Sequence, residues 1–114
     1  MSASSRGRRN RQRGQEGERE LCHILTGSWG EPIKRQLGQE RDSGSDVVHA
    51  PFVIEVKRRR RIAGFYDWLD QAQVAARAKG LDYGLVAVRG DAEGWIVAMQ
   101  LADFLKLARE EVAK

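Results

Sequence analysis

The chain has 114 residues, 41% hydrophobic and 32% charged, which suffices for one modest core and leaves too little for a second. No run approaches the ~20 consecutive apolar residues of a membrane span, and the basic N-terminus lacks the apolar stretch of a secretory signal, so a cytoplasmic protein with no membrane partner is expected. The single cysteine, Cys22, excludes an internal disulfide, and with His23 and His49 it offers no paired spacing for structural zinc.

The formal charge of +4 conceals a polarised distribution. Arg6, Arg8, Arg9, Arg11 and Arg13 crowd the first fourteen residues with no acid among them. From Gln15 onward 15 basic side chains face 16 acidic ones, and five of the 15 form the unbroken run Lys57, Arg58, Arg59, Arg60, Arg61. Two positive clusters on an otherwise acidic body suit a polyphosphate partner that accepts several contacts at once, with nucleic acid the leading candidate.

Residues 1–14 carry no apolar periodicity and are expected to form a disordered basic tail, leaving 15–114 as a single folded domain. A first helix is expected from about Gln15, with Gly17, Leu21, Ile24 and Leu25 on one side and a stop at Gly27. On that wheel Glu18 flanks the apolar stripe, and Arg19 points outward. Pro32 to Gln36 reads as a short strand, and 38–44 as a polar turn containing Arg41 and Asp42.

Val47–Val48 and Phe52–Val56 read as two strands of a hairpin, joined by the tight connection at Ala50 and Pro51. Period two places Phe52, Ile54 and Val56 on one face of the second strand and Val53, Glu55 and Lys57 on the other. A helix from about Tyr66 to Lys79 follows, punctuated by Gly64 and Gly80, then strands at Tyr83 to Val88 and Trp95 to Met99, and a final helix marked by Leu101, Phe104, Leu105, Ala108 and Val112. The expected order is α-β-β-β-α-β-β-α: an α/β domain with a central mixed sheet flanked by helices. Trp68 and Trp95 fit a core, while Trp29 is open between core and base stacking.

Asp46 and Glu55 meet across the expected hairpin, with Lys57 beside Glu55. Two hard carboxylate ligands suit Mg²⁺, with Mn²⁺ as substitute, since such ions are held by one or two carboxylates plus waters and substrate phosphate. A metal there polarises a phosphodiester and activates water, and the neighbouring lysine orients that water or stabilises developing charge. A bland reading of the same residues makes Asp46 a turn residue and Glu55–Lys57 an exposed ion pair worth ~0.2–1 kcal/mol.

Asp46 followed by Glu55-Val56-Lys57 resembles the PD-(D/E)XK nuclease superfamily. Gly14 to Leu21, with its Glu-Arg-Glu-Leu ending, is similar to the first helix of the archaeal-type and phage Holliday junction resolvases, over roughly residues 14–90. The resemblance implies a restriction-endonuclease-like fold and Mg²⁺-dependent cleavage of branched DNA in recombination by a homodimer, encoded by phage or bacterium and acting in the host cytoplasm without a small-molecule cofactor. It also implies catalytic Glu18, Asp46, Glu55 and Lys57, and a metal held by Asp46, Glu55 and the Val56 carbonyl. Arg19, Arg41, Arg58, Arg59, Arg60 and Arg61 are the expected nucleic-acid contacts. Ser45 stands where the family pattern has proline, and the loop arginine is Arg35 or Arg41. The alternative from another class is a non-catalytic nucleic-acid-binding module in which Arg58 to Arg61 do the binding and the acidic pair is structural.

Overall fold

The computed structural model describes residues 3–33, 45–60 and 62–114, with the side chains of 3–11, 45 and 46 outside the description. Seven elements follow in order: α1 (Ala3–Trp29), β1 (Ser45–His49), β2 (Phe52–Arg59), α2 (Phe65–Ala78), β3 (Tyr83–Gly90), β4 (Ile96–Ala98) and α3 (Leu101–Val112). The four strands make one mixed sheet in the order β1-β2-β3-β4. β1 and β2 are an antiparallel hairpin, β2 and β3 run parallel with α2 as their crossover, and β4 returns antiparallel to β3.

The strands sort their side chains by alternation, and the two sides differ. On one face Leu21 and Ile33 pack with Val47, Ile54, Val56, Leu85 and Ala87, so α1 covers β1 and β2. On the other, Ala72 packs with Val86 and Val88, with Phe65, Trp68 and Leu69 of α2 closing over them. Gly84 lies on this second face, where a Cβ would stand 2.3 Å from the carbonyl oxygen of Ala72. Only glycine lets α2 settle so close to β3.

Sequence expectations differ from the fold in three places. The segment from Ala3 to Gly14, expected as a disordered tail, continues α1 as helix. Arginine and glutamine are good helix formers, and a helix already begun downstream adds one bond per residue without a new nucleus. An ion pair between Arg13 and Asp91 at 3.3 Å ties this extension to the turn after β3. The helix also passes the expected stop at Gly27 and ends beyond Trp29, where Gly30 takes φ +73°. The strand expected at Pro32 to Gln36 is not formed by Pro32 and Ile33: the Ile33 amide donates to the Thr26 hydroxyl at 3.0 Å, folding the chain back on α1. Residues 34–36 and the expected turn at 38–44 lie outside the described residues.

Candidate active site

β2 lies between β1 and β3, and Val53 to Lys57 along it are buried. Glu55 and Lys57 are two residues apart, so both side chains leave the same face, the one under α2. The Lys57 Nζ lies 3.2 Å from Glu55 Oε1, with side chains only 3% and 6% exposed. Burying an ion costs several kcal/mol, so a pair placed this deep is partnered by necessity. The indole of Trp68, one turn into α2, stands over Lys57 with Nζ 5.7 Å from the ring centroid, adding cation–π attraction where water is excluded.

The hairpin register sets Asp46 directly opposite Glu55. Directly opposed positions of an antiparallel pair share a face of the sheet, so the backbone brings position 46 to the side that holds Glu55 and Lys57. Val56, between them, lies between Ser45 of β1 and Ala87 of β3, at the last rung β1 contributes. Among the described residues no three His, Cys, Asp or Glu side chains converge, and the Asp46 side chain is not among those described.

The structure distributes the remaining expected residues more widely. Glu18 is buried at 4% exposure, one turn before Leu21 on α1, the helix that covers the opposite face from Glu55 and Lys57. Arg19 is exposed on the same helix, Arg60 is exposed beyond the end of β2, and Arg41, Arg61 and the alternative Arg35 lie outside the described residues.

Arg58 and Arg59 are not a continuous solvent stripe, because alternation sends them to opposite faces. Arg58 lies under α1, its Nη1 donating to Glu16 at 3.0 Å across 42 positions of sequence. The close approach is set by Gly17, where a Cβ would meet the Cβ of Arg58 at 2.9 Å. Arg89, opposite Arg58 in the parallel register, pairs with Glu20 at 3.4 Å, and Glu20 also accepts a 2.6 Å hydrogen bond from the Trp95 indole. Among the described residues, Arg58 Nε and Arg89 Nη1 are buried without a hydrogen-bond partner. Arg59 shares the face of Glu55 and Lys57. Burial lowers its pKa, the Glu55 carboxylate opposes that shift, and Arg13 adds to it; an arginine stays charged regardless.

Three participants escaped sequence reading. Glu16 and Glu20 carried no expected role, although Glu20 lies in the Glu-Arg-Glu-Leu stretch, and their one-turn spacing on α1 is visible as a clamp only once the Arg58 and Arg89 strands are beside them. Trp68 read correctly as an apolar-stripe residue packing on β3, but its contact with Lys57 arises between layers and has no local signal. Trp29, left open by sequence, stacks on His49 at 5.4 Å and Phe52 at 6.0 Å, fastening the end of α1 to the hairpin. No family model, curated protein or solved structure matches the chain.

Proposed function

We propose that the chain is a metal-dependent endonuclease of restriction-endonuclease-like fold that hydrolyses phosphodiesters in branched DNA. The observation that carries this reading is the buried Glu55–Lys57 pair at 3.2 Å on one face of β2, with Asp46 opposite Glu55 in the register. A bland exposed cross-strand pair does not match it, because exposed pairs lie in water and this one does not. Ionisable groups held in such an environment mark functional sites more often than chance.

The donor set fits Mg²⁺. Glu55 supplies a buried carboxylate, Asp46 a second from the β1 position opposite it in the register, and the backbone of Val56 a carbonyl, all hard oxygens. When bound, the ion supplies Lewis-acid polarisation of the phosphodiester and activation of water. Lys57 holds a positive charge beside the position a phosphoryl oxygen would take, and orients the attacking water through its N–H donors. Trp68 keeps bulk water from that ammonium, which strengthens its field. Before metal arrives, Lys57 offsets the repulsion between the two acids. The exposed Arg19 and Arg60 with the basic first turns of α1 take phosphate contacts.

The non-catalytic binding module is weakened by the fate of the basic run. Arg58 is committed to Glu16 and Arg59 is half-buried beside Glu55, so the run does not present a free row of guanidinium groups. Purified protein incubated with a four-way junction, plasmid and linear duplex decides between the two. Product that requires Mg²⁺, disappears with chelator and is richest from the junction supports the nuclease; binding without product in any metal supports the module.

A further inference from the structure

We propose that the cleft outside the carboxyl ends of β2 and β3 binds a nucleoside 5′-monophosphate by its phosphate and its ribose. The cleft has a volume of about 310 Å³ and is lined by Gln12, Arg13 and Glu16 of α1, Arg58 of β2 and Asp91 of the turn after β3. β2 and β3 are the parallel pair of the sheet, and the crevice outside the carboxyl ends of parallel strands is where open α/β sheets take their ligands. It lies on the α1 side, away from the face that holds Glu55 and Lys57. Arg58 supplies the anchor: its Nη1 donates to Glu16 at 3.0 Å, while its Nε is buried with no hydrogen-bond partner among the described residues. A buried donor left unmade is costly, and an oxyanion that takes it recovers that cost. Glu16 is 50% exposed, so its hold on Arg58 is weak, and turning this one carboxylate into water opens the guanidinium edge to a ligand. Arg13 lines the same space, held by Asp91 at 3.3 Å in a second pair open to solvent.

The chemistry of the lining selects the ligand. Two guanidinium groups offer the planar, bidentate geometry that phosphate oxygens match, and a phosphate dianion brings more charge and more acceptors than the carboxylate it displaces from Arg58. Glu16 and Asp91 nevertheless balance Arg13 and Arg58, so the lining sums to zero charge. That disfavours a polyanion, because the phosphates on either side of any one in a nucleic-acid backbone would bring further negative charge against these carboxylates. A compact ligand with a single anionic head avoids this. Its phosphate spans Arg58 and Arg13, and Asp91 accepts from the hydroxyls behind it, as carboxylates do from the ribose of bound nucleotides. The Gln12 amide adds a donor and an acceptor at the rim. None of the five lining residues is apolar, so the cleft reads phosphate and ribose and does not select a base. The volume lies at the lower end of small-molecule pockets, which suits one nucleotide.

The inference stands on this cleft and not on the proposed nuclease chemistry, so its test uses neither a junction nor metal. Calorimetric titration of the full chain, with chelator present, is expected to show saturable binding of adenosine 5′-monophosphate with Kd below about 1 mM, weaker binding of inorganic phosphate, and none of adenosine. Arg58→Lys keeps the charge and loses the planar fork, and is expected to weaken the nucleotide at least ~10-fold with unchanged far-ultraviolet circular dichroism. Arg13→Gln, at the more exposed guanidinium, is expected to do the same. Glu16→Gln removes the competing carboxylate and is expected to tighten both nucleotide and inorganic phosphate, a gain that a misfolded variant does not show. Asp91→Ala is expected to weaken the nucleotide while sparing inorganic phosphate. No binding of nucleotide up to about 10 mM, an affinity indifferent to both Arg13→Gln and Arg58→Lys, or adenosine bound as tightly as its monophosphate overturns the proposal. A 5′-phosphorylated dinucleotide that binds ~10-fold more tightly than the mononucleotide also overturns it, assigning the cleft to strand ends instead.

Discussion

The two faces of β2 each bury charge, and they do so for different ends. Under α1, Arg58 reaches Glu16 and Arg89 reaches Glu20, pairs that join a helix to strands far away in sequence and whose acids remain about half exposed. Under α2, Lys57 and Glu55 pair within a single strand and are sealed from solvent. The first arrangement fixes where α1 lies, so it has a structural return. The second joins residues two apart on one strand, already held by the backbone, and meets α2 through Trp68. A buried ion pair is in itself weak support for stability.

That contrast can be broken by substitution, beginning where the expected effect is largest. Glu55→Gln keeps shape and removes charge, and is expected to lower junction cleavage by at least ~10²-fold, the scale of losing one preorganised electrostatic group, while the dissociation constant for the junction changes little. Parallel cleavage and gel-shift titrations check this. Lys57→Ala removes the ammonium that the buried Glu55 carboxylate faces, so chemical denaturation is expected to show a loss of about 3–5 kcal/mol, whereas Lys57→Met with Glu55→Gln recovers most of it. Gly84→Ala forces α2 off β3 at a backbone contact and is expected to cost about 1–3 kcal/mol in the same assay, with cleavage per folded molecule less affected. The smallest effect belongs to the clamp. Glu16→Gln should cost only ~0.2–1 kcal/mol, since its carboxylate is half exposed, and should leave the salt dependence of DNA binding unchanged. Arg60→Ala, by contrast, should reduce the salt slope by about 0.9 if it neutralises one phosphate of duplex DNA.

The parts legible in the sequence are those that local geometry determines. The alternation of Phe52 to Lys57 needs only the pleat of one strand, so it placed Glu55 with Lys57 and opposite Ile54 and Val56 correctly. The hairpin connection at Ala50 and Pro51 set the register that opposes Asp46 to Glu55. Gly64 and Gly80 bracket α2 as expected, both at positive φ. What failed depended on partners remote in sequence. The run Arg58 to Arg61 read as one cluster of phosphate contacts because nothing near it in the chain reveals Glu16 above Arg58. The first turns of α1 read as disordered because their composition buries little, while the contacts that hold this helix, Arg13 to Asp91 and Glu16 to Arg58, bridge 78 and 42 positions. The grouping of Glu18 with the Glu55–Lys57 site came from resemblance, and the fold sets its helix on the other side of the sheet.

The central claim, that an acid on β1 and the sealed pair on β2 act together on a phosphodiester, is tested most directly by comparing wild type with Asp46→Asn. Single-turnover cleavage of a labelled four-way junction in Mg²⁺ is the measurement, with equal occupancy of both proteins verified beforehand. The account predicts strand scission by the wild type and a loss of at least ~10²-fold on replacing this one carboxylate by its amide. Equal rates for the two proteins, or no scission by the wild type at saturating metal, would contradict it.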